Sequence, residues 1–181
     1  MTIWLTSDTH FGHANILTFT GADGQPIRPG FSSVEEMNET LIERWNAVVK
    51  PTDHVYHLGD VAMKIPSAEM IAIVRRLHGH KRLVLGNHDR FSMPQYREAG
   101  FEKIFGMHRL FDVWLTHAPL HPGSIGTAIG NAHGHIHEKP EPDGPYINVS
   151  VERTGYTPVA LEWVRLLLRL KDFEAARRTL H

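Results

Sequence analysis

A chain of 181 residues with 41% apolar and 22% charged side chains can bury one core and stay in solution, which excludes a disordered or fibrous protein. Its 19 basic residues are offset by 20 acidic ones, so no global positive field exists to gather extended nucleic acid. The absence of cysteine removes disulfides, thiolate nucleophiles and cysteine-built zinc sites, while 14 histidines are far more than packing in a neutral domain requires.

Thr2 to Ser7 is short, apolar and β-branched with no polar face, as in a strand buried on both sides. Polar residues begin where that strand ends, at Asp8, Thr9 and His10. Gly21 to Gly30, rich in Gly, Pro and Asp, reads as a surface loop. Ser33 and Glu36 have the spacing of a capping box, and Met37, Leu41, Trp45 and Val48 follow at helical intervals until Pro51. Val55 to Leu58 is a second strand ending in Gly59 and Asp60, Ser67 to Leu77 a helix, and Arg82 to Leu85 a third strand ending in Gly86, Asn87, His88 and Asp89. Strands alternating with helices predict an α/β sandwich around mixed or parallel sheets, in which ligands gather at the carboxyl ends of strands.

The second half differs in texture. Phe105 to Thr116 carries one or two β segments, Ala118 to Gly126 a Pro/Gly loop, then come a His-rich turn and a strand over Tyr146 to Val151. Leu161 to Leu180 is expected to be helical with Leu161, Val164, Leu168 and Phe173 facing inward, and Trp114 and Trp163 read as core. The amino terminus has no basic segment followed by a long apolar one, and no later run reaches membrane-spanning length. A single cytoplasmic domain over residues 1–181, with no membrane partner, is the expectation.

Five signatures follow one another, each just beyond a predicted strand: Asp8-Thr9-His10, Gly59-Asp60, Gly86-Asn87-His88-Asp89, Thr116-His117 and Gly134-His135-Ile136-His137. Asp8 and His10 are two residues apart, so an extended backbone would point both at one ion, and His135 and His137 repeat the interval. Imidazole and carboxylate donors suit manganese, iron, zinc, cobalt or nickel. So many donors argue for a pair of ions, which at roughly 3.5–4 Å apart need a shared carboxylate, and Asp60 is placed to supply it.

In order and wording these signatures resemble the calcineurin-like metallophosphoesterase superfamily in its small single-domain bacterial form, over Asp8 to His137. The resemblance implies a four-layer α/β/β/α sandwich. It implies one ion held by Asp8, His10, Asp60 and His137 and a second by Asp60, Asn87, His117 and His135, with manganese the first choice. It implies that a hydroxide shared by the ions attacks phosphorus while His88, which binds no metal, contacts the phosphate and protonates the leaving group. Where protein phosphatases of the superfamily continue their second signature with Asp-Arg-Gly, this chain has Val61, Ala62 and Met63, which disfavours a phosphoprotein substrate. What remains resembles the compact phosphodiesterases, with a small nucleotide or cyclic phosphate as the expected substrate. A phosphomonoesterase or nuclease on the same centre, and a non-catalytic scaffold, are the alternatives. His13, Asn15 and His121 lie near the ligand segments and could line the phosphate pocket, with Asn87, His88 and His13 as the substrate contacts named. His54, His57, His78, His80, His108 and His133 are read as ordinary residues, and the terminal helix as a surface for homo-oligomer formation.

Overall fold

The structure, a computed structural model, describes residues 1–178. The first half supplies four parallel strands, β1 (Ile3–Thr6), β2 (His54–His57), β3 (His80–Val84) and β4 (Phe101–Phe105), separated by α1 (Val34–Val48), α2 (Ser67–Arg75) and α3 (Met93–Ala99). Next come β5 (His108–Leu110), β6 (Val113–Leu115), β7 (Gly130–His133) and β8 (Tyr146–Asn148), then β9 (Val159–Ala160) and α4 (Leu161–Arg178). The first sheet has the order β4-β3-β2-β1-β9, with β9 antiparallel to β1. The second has the order β5-β6-β7-β8, parallel from β6 to β8.

Alternation along the strands divides the core in two, because successive side chains leave opposite faces of a sheet. Trp4, Val55 and Leu83 pack with Met37, Trp45, Met70, Val74 and Tyr96, which seats α1, α2 and α3 on one face of the first sheet. Leu5, Tyr56 and Val84 face the other way and meet Val113, Leu115, Ala132 and Ile147 of the second sheet. Leu161, Val164 and Leu168 of α4 join this second cluster, and the helix contacts β8, β9 and β1. The result is the expected α/β/β/α sandwich, its last layer a single helix.

Several local expectations are corrected. Ser33 caps α1 by accepting from Glu36 N at 3.1 Å, but the Glu36 carboxylate bonds Ser32 N instead of Ser33, so only half of the box forms there. The fuller box opens α3, where Ser92 N donates to Gln95 Oε1 at 2.9 Å and Gly100 at φ 106° ends the helix in a left-handed turn. The loop ending at Gly30 lies at the surface except for Arg28, which is 1% exposed. Trp114 is half-buried, whereas Trp163 and Phe173 are 63% and 66% exposed. They leave α4 on a different arc from Leu161, Val164 and Leu168, where Leu166, Leu167 and Leu170 are also uncovered. The last two residues of the predicted helix lie outside the described residues. Among the described residues no helix is long and apolar enough to cross a membrane.

The topology fixes where chemistry can gather. Parallel strands deliver their carboxyl ends to one edge of each sheet. A parallel bridge between Ser7, just past β1, and Ser150, just past β8, brings the two edges together. Every one of the five signatures lies within a few residues of such an end.

Candidate metal centre

The chain leaving β1 does not stay extended. Asp8 N donates to Gly59 O, His10 N to Asp60 O and Phe11 N to Val61 O, all at 2.9–3.0 Å, so this segment runs along the loop that follows β2. Asp8 (φ 58°) and His10 (φ 47°) are left-handed, as are Asp60 (57°), His135 (71°) and His137 (51°). The side chains predicted to converge do so through paired left-handed residues, because each strand must turn sharply across the shared edge. Such a backbone costs roughly 1–2 kcal/mol per residue without glycine, strain of a kind that collects at functional sites.

Two groups of donors result. Asp8, His10 and His137 offer atoms that all lie within 4.8 Å of one another, and so do Asp60, His117 and His135. His10 Nε2 and His137 Nε2 stand 3.9 and 3.8 Å from Asp8 Oδ1. Asp60 Oδ2 stands 3.6 Å from His10 Nε2 and 3.3 Å from His117 Nε2, so one carboxylate oxygen faces both groups. Its other oxygen accepts from His88 N at 2.8 Å. Asn87 Oδ1 is 2.9 Å and His135 Nδ1 3.2 Å from His117 Nε2.

The protonation pattern fits cations. His117 Nδ1 donates to Leu58 O at 2.8 Å, which leaves Nε2 with its lone pair among the oxygens of Asn87 and Asp60. Acceptors pressed together in this way need a positive species between them. Burial lowers the His117 pKa, but the bond and charge of Asp60 and the charge of Asp8 outweigh it and the net direction is up. His10 goes the other way, lowered to about 2 by burial and by Arg28, so its ring stays neutral with one nitrogen lone pair free to bind a cation. Asp8 Oδ1 and both His10 nitrogens are buried without a hydrogen-bond partner. A pair of divalent ions held by oxygen and nitrogen would satisfy Asp8 Oδ1 and His10 Nε2, and no thiolate is present to favour a softer metal.

A supporting layer holds these side chains and was not read from the sequence. His137 Nδ1 donates to Glu152 Oε1 at 2.9 Å, and the same oxygen accepts from Arg28 Nε at 2.7 Å. Arg28 also donates to the carbonyls of Asp8 and Thr9. Asp8 Oδ2 accepts from His135 N and from Ser150 Oγ, both at 2.9 Å. Asp89 accepts from Asp60 N and Gly86 N at 2.8 Å and from Val61 N and the Tyr96 hydroxyl at 3.0 Å. His57 is no ordinary core residue: its Nε2 donates to Thr9 Oγ1, whose hydroxyl donates onward to Val61 O, while Nδ1 accepts from Gly59 N. Close approach makes two glycines obligatory. A Cβ on Gly134 would collide with Ser7 Oγ and Asp8 Oδ2, and one on Gly86 would lie 2.6 Å from Asp60 N.

Of the other named residues, His88 and His13 face the cluster, their rings 5.7 and 5.6 Å from that of His10, and each keeps a buried Nδ1 without a partner. Burial lowers the His13 pKa to about 4. Asn15 and His121 are exposed on short turns, where Asn15 O accepts from Thr18 and His121 Nδ1 from Gly123 N. Neither is brought to the cluster.

A family model described as calcineurin-like phosphoesterase matches residues 1–174. An uncharacterized protein of Methanocaldococcus jannaschii is 36% identical over 177 residues, 92% of this chain and 90% of that one. The gene 66 protein of Mycobacterium phage L5 is 36% identical over 131 residues, 71% of this chain and 58% of its own length. Among solved structures, a protein of unknown function from Aquifex aeolicus is similar with a TM-score of 0.72 at 25% identity, over 92% of this chain and 98% of that one.

Proposed function

The chain belongs to the calcineurin-like phosphoesterase family, and from that premise we propose that it hydrolyses phosphodiesters of small nucleotides at a centre of two divalent cations. The observation that carries the reading is Asp60 Oδ2, within 3.6 Å of donors in both ligand groups. Asp8, His10, Asp60 and His137 would hold one ion and Asp60, Asn87, His117 and His135 the other, manganese being the first choice before iron, zinc, nickel or cobalt. When bound, such a pair makes water more acidic and offsets the charge on phosphoryl oxygens.

The chain's own residues then orient and protonate. Asp60 is held through Oδ1 by the His88 amide, which leaves Oδ2 for the ions. Water gives up a proton to solvent as its oxygen bonds to phosphorus, the bond from phosphorus to the leaving oxygen breaks, and that oxygen takes a proton from the His88 ring, which solvent then restores. The preference for a diester rests on the second signature, where Val61, Ala62 and Met63 stand in place of the Asp-Arg-Gly of the protein phosphatases. The balanced net charge argues against a long nucleic-acid partner. The uncovered stripe of Trp163, Leu167 and Leu170 supports self-association through α4, and the cytoplasm is the proposed location.

The test is the metal-loaded enzyme on bis(p-nitrophenyl) phosphate against p-nitrophenyl phosphate. Faster turnover of the diester is expected, and faster turnover of the monoester would overturn the assignment. His88→Ala should lower kcat by about 10²–10⁴-fold on an alkyl diester, whose leaving group needs a proton, and by much less on the nitrophenyl ester.

A further inference from the structure

Beside His88 the surface opens into a groove of about 280 Å³ that none of the ligand side chains lines. Ala62, Met63, Ile65 and Phe91 give it an apolar lining, while Lys64 and Arg90 are exposed on it. The walls are the direct continuations of the two ligand loops, residues 61–65 after Asp60 and residues 90–91 after Asn87, His88 and Asp89. Asp89 fastens those loops together through Asp60 N, Val61 N and Gly86 N, so the groove is built on the same frame as the cluster. Met63 N donates to Phe11 O at 3.1 Å, and Lys64 is held left-handed at φ 61°. A lysine kept in that conformation is positioned by its surroundings and not by its own preference.

Among the described residues neither Lys64 nor Arg90 stands within ion-pair distance of a carboxylate, in contrast to Arg76 with Glu39 or Arg165 with Asp112. An apolar slot with an aromatic wall and two unpaired cations matches a planar base carrying an anionic group. Its volume lies just under the roughly 300–1,000 Å³ of pockets for drug-sized ligands, which suits one base with its sugar and phosphate lying along the exposed rim. Its position relative to His88 says which part of a substrate enters it.

We infer that this groove binds the leaving group of the phosphodiester, a single nucleoside bearing a further phosphate that Lys64 and Arg90 engage. The inference rests on His88 as the donor to the leaving oxygen. It narrows the substrate from small nucleotides in general to a dinucleotide or short oligonucleotide phosphorylated one step beyond the scissile bond. A cyclic nucleotide, whose leaving oxygen stays within the same nucleoside, would leave the cationic rim unused.

Two measurements on the metal-loaded protein test it. Hydrolysis of a thymidine dinucleotide is compared with that of the same dinucleotide phosphorylated at its 5′ or its 3′ end. One of the phosphorylated forms should be preferred by about tenfold in kcat/KM, and the Lys64→Gln, Arg90→Gln double variant should bring that ratio to about one. No preference in the parent, or a ratio the double variant leaves intact, overturns the inference. Binding of thymidine 3′,5′-bisphosphate, followed by calorimetry, separates the groove from the chemistry. Binding weakened about tenfold or more by the double variant in a protein that cleaves no diester would keep the groove and sink the phosphodiesterase reading. Binding indifferent to Lys64 and Arg90 in a protein that does cleave diesters would do the reverse.

Discussion

Glu152 presents one oxygen to three donors, Nε and Nη2 of Arg28 at 2.7 Å and Nδ1 of His137 at 2.9 Å. The carboxylate therefore orients the His137 ring with Nε2 toward Asp8 and raises its basicity, as outer carboxylates do for metal-binding imidazoles. Glu152→Gln should weaken binding at the Asp8, His10 and His137 group by about 10–100-fold, while the Asn87, His117 and His135 group changes far less. Calorimetric titration with manganese resolves the two, and an equal loss at both would refute the assignment. The variant also leaves Arg28 buried without its counter-charge, a change that costs about 3–5 kcal/mol in comparable pairs. His57 offers a separate test at neutral to acidic pH. Burial pushes its pKa down to about 3, with Asp60 opposing. The unfolded chain takes up this proton near pH 6.5 and the folded one near 3, so His57's contribution to stability is complete above pH 6.5 and is lost as pH falls toward 3. In the metal-free protein the slope from this one residue is about 1.4 kcal/mol per pH unit. Urea unfolding of the parent and of His57→Gln across that range should differ by this slope, and parallel curves would show that His57 does not titrate between the two states.

The loops after β2 and β3 behave as one element because Asp89 accepts from both. Asp89→Ala would strip partners from three backbone amides and the Tyr96 hydroxyl, an expected loss of roughly 3 kcal/mol in unfolding free energy together with lower metal content. A loss below about 1 kcal/mol would mean that the clamp is dispensable. Local sequence carries part of this arrangement. β1, β2 and β3 were legible from short apolar runs, and the ligands from the polar residues that break those runs, because both signals lie within a few positions of each other. The β9 strand is only two residues long and has no such run, so it was missed, and β7, four residues long, was implied only by the signature that follows it. The α3 helix was missed although Ser92, Gln95 and Gly100 mark its ends. The extended geometry assigned to Asp8 and His10 failed because pairing with the loop after β2 imposes a left-handed backbone that their residue types do not announce. Arg28 and Glu152 are 124 positions apart, and nothing in either neighbourhood points to the other. A polar loop in sequence hid a buried arginine whose reason for burial is entirely tertiary.

The whole molecule brings two sheets together, and the ligands are divided between them. Asp8, His10, Asp60 and Asn87 follow strands of the first sheet, whereas His117, His135 and His137 follow strands of the second. Away from this edge the sheets are joined by apolar packing through Leu5, Leu58, Val113 and Leu115. At the edge they meet through groups that repel or strand one another without a cation, including the unpartnered Asp8 Oδ1 and His10 Nε2. Metal loading should therefore stabilise the sandwich as a unit and not merely order a loop. An ion present at a hundred times its Kd adds about 2.7 kcal/mol to the folded state. For a chain of 181 residues each kcal/mol moves Tm by roughly 2–4 °C, so removing one such ion should lower it by roughly 5–11 °C. Scanning calorimetry before and after chelation measures this shift, with readdition of manganese restoring it. Hydrogen exchange on the same samples locates it, with protection lost together around Asp8, Asp60, His117 and His135. A chelated protein that is demonstrably free of metal, yet melts at the same temperature with unchanged exchange at all four positions, would show that no cation bridges the two sheets.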